Sequence, residues 1–128
     1  MSSRQWTVQV TAPAQFLNTN KRLHGRAAAE TVKAWRDAGQ TFARAARLPQ
    51  LGRARITATL HFTDRKRRDD HNYFPTVKAL IDGLVDYGLL PDDSREYLLG
   101  TTICGGEPVA RKPYGPAGMV VLTICEVA

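Results

Sequence analysis

Nowhere in its 128 residues does this chain carry an apolar run approaching the roughly 20 residues that span a bilayer. The opening MSSRQWTVQV also lacks the apolar stretch of a secretory signal, so no membrane partner is expected and the implied location is cytoplasmic. Cysteine is scarce too. Cys104 and Cys125 stand in separate apolar runs without CxxC or Cys/His spacing, which argues against a zinc site and suits buried free thiols; in a cytosolic chain a disulfide between them is the exception. Negative charge is the minority sign. Lys and Arg number 18 against 12 Asp and Glu, a formal charge of +6 with a sequence pI near 9.7, and that balance suits a polyanionic partner. Internal repeats, linkers and low-complexity tracts are missing as well, so residues 1–128 read as a single domain around one core.

What is present is an alternation of strand and helix periods. QWTVQVT, residues 5–11, sets Trp6, Val8 and Val10 against polar neighbours, the period of a half-buried strand. From about Arg26 to Arg47 the period changes: Ala28, Val32, Trp35, Gly39, Phe42 and Ala46 step by four and three into one helical stripe. Arg26, Lys33, Arg36, Arg44 and Arg47 fall on one flank of it, with Glu30 and Asp37 just beyond, as either a solvated face or a surface for phosphates. RARITATLHFT alternates Ile56, Ala58, Leu60 and Phe62 with polar residues, a second strand. EYLLGTTIC and GMVVLTICEV read as two more, the last apolar on both faces, as in a sheet interior. The Gly- and Pro-rich arm GGEPVARKPYGP lies between them. The expected fold is α/β (α+β): a small mixed sheet of about four strands packed against two main helices.

The second helix lies within RRDDHNYFPTVKALIDGLVDYGLLPDD, Arg67 to Asp93, where a basic chain gathers its carboxylates. Asn72 is the expected N-cap, Pro75 fits the first turn, and the helix should end near Gly88. Val77, Leu80, Ile81, Leu84 and Val85 make its apolar face; Lys78, Asp82 and Asp86 make a polar stripe on which Lys78 and Asp82 are spaced to pair. Asp69 and Asp70 precede this helix and Asp92 and Asp93 follow it, about 22 Å apart along some 15 residues. The two pairs form one site only if LLPDD doubles back to bring Asp93 beside Asp69. Clustered carboxylates then offer hard oxygen ligands to Mg²⁺, which activates water and neutralises phosphodiester charge, while a nearby lysine orients the nucleophile or stabilises developing charge. The simpler reading is that Asp69 or Asn72 caps a helix and PDDS is a turn.

RRDDHN, the lysine of TVKALIDGL and the GLLPDD run resemble the signature of the RusA family of Holliday junction resolvases, and NTNKRLHG resembles that family's N-terminal motif. The resemblance runs from about Asn18 to the final strand. It implies a small homodimeric endonuclease that binds branched, four-way DNA and nicks two strands symmetrically with Mg²⁺, Mn²⁺ being an alternative; an isologous dimer suits a two-fold substrate. The family's D-x-D-N motif falls on Asp69 and Asn72, its essential lysine on Lys78, the following helical aspartate on Asp82, and its later metal-binding aspartate on Asp93 with Asp92 beside it. Catalytic roles are thereby implied for Asp69, Lys78 and Asp93, and metal ligation for Asp69, His71, Asp93 and Asp92. Asn20, Lys21, Arg22, His24, Arg65, Lys66, Arg67, Arg68 and Asn72 are implied to contact nucleic acid. The chain departs from the pattern at His71, where the motif has its second aspartate, and in the longer gap from Asn72 to Lys78. Losing one anionic ligand weakens a Mg²⁺ site, although imidazole ligates Mn²⁺ and Asp70 stands adjacent. The alternatives are a module of the same fold that binds junctions without cutting them, or a structural phage or prophage protein whose charge only aids solubility. His61, on the polar face of its strand, reads as structural.

Overall fold

Alternation, helix period and turn residues place the elements close to where the sequence puts them. The computed structural model describes residues 4–21 and 23–128. Strand β1 is Gln5–Thr11, helix α1 Gly25–Ala45, strand β2 Ala54–His61, helix α2 Phe74–Tyr87, strand β3 Leu98–Gly105 and strand β4 Met119–Glu126. A 3₁₀ turn, Asp70–Tyr73, leads into α2, and a single helical turn, Arg111–Tyr114, lies in the Gly- and Pro-rich arm. The fold is the expected one: a mixed four-stranded sheet with two main helices.

Sheet order is β1-β4-β2-β3, with β4 antiparallel to both β1 and β2 and with β2 parallel to β3. Three strands, β1, β2 and β3, therefore run in one direction, and α1 and α2 are the crossovers that parallel connections need. The apolar β4 is the inserted strand, covered on both edges. Its inner row is registered with its neighbours: Leu122 stands opposite Val8 and Ala58, Val120 opposite Val10 and Leu60. These side chains meet Trp35, Val77, Leu80 and Leu84 of the helices in one core. At roughly 25 cal/mol per Å² of apolar surface, this layer is the main force holding sheet to helices.

Where the helices cross, glycine sets the distance. A Cβ added at Gly39 of α1 would stand 2.5 Å from the carbonyl oxygen of Leu80, and one at Gly83 of α2 would collide with the carbonyl of Arg36. The inward stripe of α1 is consequently turned from the expected one: Thr31, Ala38 and Ala43 are buried with Trp35 and Gly39, whereas Val32 is 43% exposed and Ala46 lies outside the helix and exposed. Small side chains are selected because α2 approaches too closely for larger ones.

Two further expectations are corrected. Asn72 is not the N-cap of α2. The helix begins from Tyr73, with no side-chain cap, and Asp69 caps the 3₁₀ turn before it by accepting from the His71 amide at 3.1 Å. Asn72 instead accepts on its carbonyl oxygen from the Thr19 amide at 2.8 Å, which commits its backbone to the β1–α1 loop. Cys104 and Cys125 are free thiols, as expected, yet only half-buried. They lie on the sheet face away from the core, Cys104 near Thr59 and Cys125 near Gln5. Pro75 and Gly88 do bound α2 as the sequence implies, Gly88 with φ of 106° closing it in the left-handed conformation.

Candidate functional site

Because β1, β2 and β3 are parallel, the loops leaving their C-terminal ends share one edge of the sheet, where α/β proteins usually place ligands. Those loops are the NTNKRLHG segment, the basic DRKRRDD segment and the arm after Gly105. Hydrogen bonds tie them together. Val109 donates to the Phe62 carbonyl at 2.8 Å, Ala12 to Gly118 at 2.9 Å and Thr19 to Asn72 at 2.8 Å. Thr63 Oγ1 donates to the Pro116 carbonyl at 2.8 Å, and the Gly105 amide donates to Asp70 Oδ2 at 3.0 Å. Beneath them Thr76, fully buried, uses its hydroxyl twice: Oγ1 accepts from the Leu17 amide at 2.7 Å and donates to the Leu17 carbonyl at 2.9 Å. The residue just before the N-terminal motif, Leu17, is thus fastened to the first turn of α2, a role that nothing in the local sequence around Thr76 signals.

Along α2 the polar stripe is real. Lys78 Nζ donates to Asp82 Oδ1 at 2.7 Å, the expected pair, and also to Asp93 Oδ2 at 2.5 Å. The chain does fold back after Gly88. Leu89 and Leu90 bury beneath the end of the helix, and Asp93 returns to the level of Lys78. The hydrogen bonds that Lys78 donates, to Asp82 first and Asp93 second, raise its pKa, and Lys78 in turn holds the Asp93 carboxyl below its usual range. At neutral pH Lys78 is therefore an ammonium held between two carboxylates, suited to stabilising negative charge and unsuited to acting as a base.

The other candidate ligands have separate engagements. Asp69 is exposed and caps the 3₁₀ turn, Asp70 receives the Gly105 amide, His71 is exposed, and Asp92 accepts from the Ser94 amide at 2.7 Å, an Asx turn. Among the described residues no group of three His, Cys, Asp or Glu side chains is placed to hold a metal ion. The donors are of the kind a hard cation takes, carboxylate oxygens above all. Asp69, His71, Asp92 and Asp93, the expected ligands, carry such donors but are not brought together as a group of this kind; Asp93 meets Lys78, and Asp69 meets the His71 amide.

The cations divide into engaged and solvent-facing. Arg68 is pinned: its NH1 and NH2 groups donate to the two oxygens of Asp64 at 2.7 and 3.2 Å, and its guanidinium lies 3.9 Å from the Phe62 ring centroid. The Arg68 hydrogen bonds, with the Lys66 amide second, bring the Asp64 carboxyl down to about 2. Arg65 stands 3.7 Å from the exposed Glu107 carboxylate; Lys66, Arg67, Asn20, Lys21 and His24 are exposed. Arg22 lies outside the described residues. On α1, Lys33 pairs with Asp37 and Arg36 with Asp86. His61 has the structural role expected of it, its Nδ1 lying 2.7 Å from the Glu107 carbonyl oxygen.

Sequence reasoning missed Asp64 and the cleft beside it. The cleft measures about 510 Å³ and opens between the loops after β1 and β2 and the end of the arm, with Phe16, Phe62 and Tyr73 among its walls. The Asp64–Arg68 spacing was visible, but in a loop four residues do not imply contact as they do on a helix. The aromatic residues, 46 positions apart between Phe16 and Phe62, carried no local signal. Neither the scan against protein-family models nor the search of curated proteins found a match to this chain.

Proposed function

We propose that the protein is a metal-dependent endonuclease acting on branched DNA, of the kind that resolves four-way junctions, and that it works as a homodimer. The observation that carries this reading is the return of Asp93 to Lys78. The acidic tail of the LLPDD run folds back along the same helix whose N-terminal side carries Asp69, beside an edge lined by Lys21, Arg65, Lys66 and Arg67. Carboxylates at the centre suit a hard cation and cations at the rim suit phosphates, so the two signs have different tasks. The bound metal would supply water activation and charge neutralisation; Lys78 would stabilise charge developing on the phosphodiester, and Asp82 would keep its ammonium oriented.

Incubation of the protein with an end-labelled four-way junction and Mg²⁺ or Mn²⁺ tests this. Paired, symmetric nicks are expected, and Asp93→Asn should lower their rate by about 100-fold or more, the scale of losing one preorganised charge-stabilising group. Undiminished nicking by that variant, or no nicks with either metal, removes the reading.

One observation favours a second reading, a junction-binding module that does not cut: His71 stands where the motif has an acidic ligand. His71→Asp separates the two. A large gain of cleavage marks a weakened nuclease, whereas salt-sensitive binding with no products from either form marks a binding module.

A further inference from the structure

The cleft beside the basic loop is not used by the proposed cleavage chemistry. At about 510 Å³ it falls within the range of roughly 300 to 1,000 Å³ typical of small-ligand sites. Its apolar walls are Phe16, Phe62 and Tyr73 with the methyl groups of Ala14 and Ala117; Phe16 and Phe62 are packed ring to ring at 4.6 Å and both remain half-exposed. Planar and apolar surface of this kind suits a flat heteroaromatic ligand. The polar lining residues are Gln15, Asn18, Lys21, Thr63, Asp64 and Arg68. Arg68 forms a fixed plane, since Asp64 holds its edge and Phe62 covers a face. A guanidinium held this way is a stacking surface for a base rather than a mobile phosphate ligand.

Position narrows the occupant further. Arg68 immediately precedes Asp69, and the exposed Arg65, Lys66 and Arg67 adjoin the cleft along the same loop. A polyanionic strand tracking those cations passes the cleft mouth, and one of its bases has an aromatic recess within reach. Lys21 adds positive charge to the lining. An acidic or purely aliphatic ligand would use only half of these features.

We propose that this cleft receives one unstacked nucleobase from the DNA strand lying over the 65–68 loop, so that the protein selects DNA with an unpaired or readily unstacked base over continuous duplex. The inference rests on the reading of the protein as DNA-binding and is independent of cleavage. Unstacking costs least at single-stranded or branched positions, so a base pocket converts that difference into structural preference.

The test uses a short single-stranded oligonucleotide carrying a fluorescent adenine analogue, and the same sequence as duplex, without divalent metal. Anisotropy reports binding, and analogue intensity reports the environment of the base. Wild type is expected to bind the single strand and change the analogue's intensity at saturation. Ala14→Leu/Ala117→Leu, which fills the cleft with aliphatic side chains, should weaken single-strand binding by about tenfold, the scale of one lost base stack, and abolish the intensity change. Phe16→Leu, which removes a ring while keeping the wall apolar, should give the same loss of signal. Duplex affinity, carried by the basic loop, should stay within about twofold in variants whose circular dichroism matches wild type. Binding by wild type with no intensity change, or filled variants that bind and report as wild type does, overturns the base pocket while leaving DNA binding intact. Absence of binding to either DNA at low salt overturns both.

Discussion

Asp64 and Arg68 show how much one pair can decide about a basic loop. The four cations from Arg65 to Arg68 look equivalent in sequence, but Arg68 spends its guanidinium on Asp64 and Phe62 and becomes part of the wall. The Asp64 carboxyl, ordinarily near 3.8, is held at about 2. A carboxyl lowered on folding stabilises the fold fully above its unfolded value and ceases to do so as pH falls through its folded value. The contribution of this pair is therefore complete above pH 3.8 and gone below about 2. Asp64→Asn should melt at a lower temperature than wild type at neutral pH, and the two melting curves should converge as pH is taken from 4 towards 2. A difference that persists undiminished at the acid end would mean that Asp64 stabilises the loop without its charge. Lys78 illustrates the complementary point. From spacing alone it pairs with Asp82, yet its second carboxylate, Asp93, comes from fifteen residues away and is visible only once the chain folds back.

At the level of elements, the closeness of α1 and α2 is what fixes the platform under the site, and it depends on two residues with no side chain. Gly83→Ala would press a methyl group against the Arg36 carbonyl and to within 2.9 Å of the Gln40 amide nitrogen, both backbone atoms that cannot swing aside. Alanine gains up to about 1 kcal/mol over glycine in helix propensity, while forced overpacking costs about 1–3 kcal/mol and more where backbone must move. The second effect wins. Gly83→Ala should lower unfolding free energy in urea by about 2 kcal/mol, and a variant as stable as wild type would show that the helices can separate freely. This crossing also marks the limit of what periodicity reveals. The strand alternations of Val8 and Val10, of Ile56, Ala58 and Leu60, and the Pro75 and Gly88 boundaries were legible because each is a local pattern. The rotation of the α1 stripe, which exposes Val32 and buries Thr31 and Ala43, was not, since it answers to the facing glycine on another helix. Asn72 misled for the same reason: a good capping residue was claimed by the β1–α1 loop, and Asp69 took the capping role one turn earlier. The candidate site was half legible: its residue types and the Lys78–Asp82 spacing could be read, while the return of Asp93 to Lys78 and the aromatic cleft arise from tertiary contacts.

Across the whole molecule, charge has a direction that a total of +6 does not convey. The α1 flank reads in sequence as one row of five cations, but the helix has 21 residues and so spans about 31 Å, carrying Arg26 to the edge where the loops gather and Arg44 to the opposite end. Lys33 and Arg36 between them are paired with Asp37 and Asp86. Among the described residues the loop edge gathers the exposed Lys21, Arg26, Lys66 and Arg67, with Arg65 beside the Glu107 carboxylate. On the proposed reading of the protein as DNA-binding, each phosphate neutralised contributes about 0.9 to the slope of log affinity against log salt on duplex DNA. Replacing Arg65, Lys66 and Arg67 together by Gln should therefore flatten that slope by about 2 to 3, whereas replacing Arg44 and Arg47 by Gln should leave it within about 0.5 of wild type. Salt titrations of duplex binding by fluorescence anisotropy give both slopes. If the Arg44 and Arg47 substitutions flatten the slope and the loop substitutions do not, DNA lies along the outer flank of α1, and the loop edge has lost its claim to be the binding face.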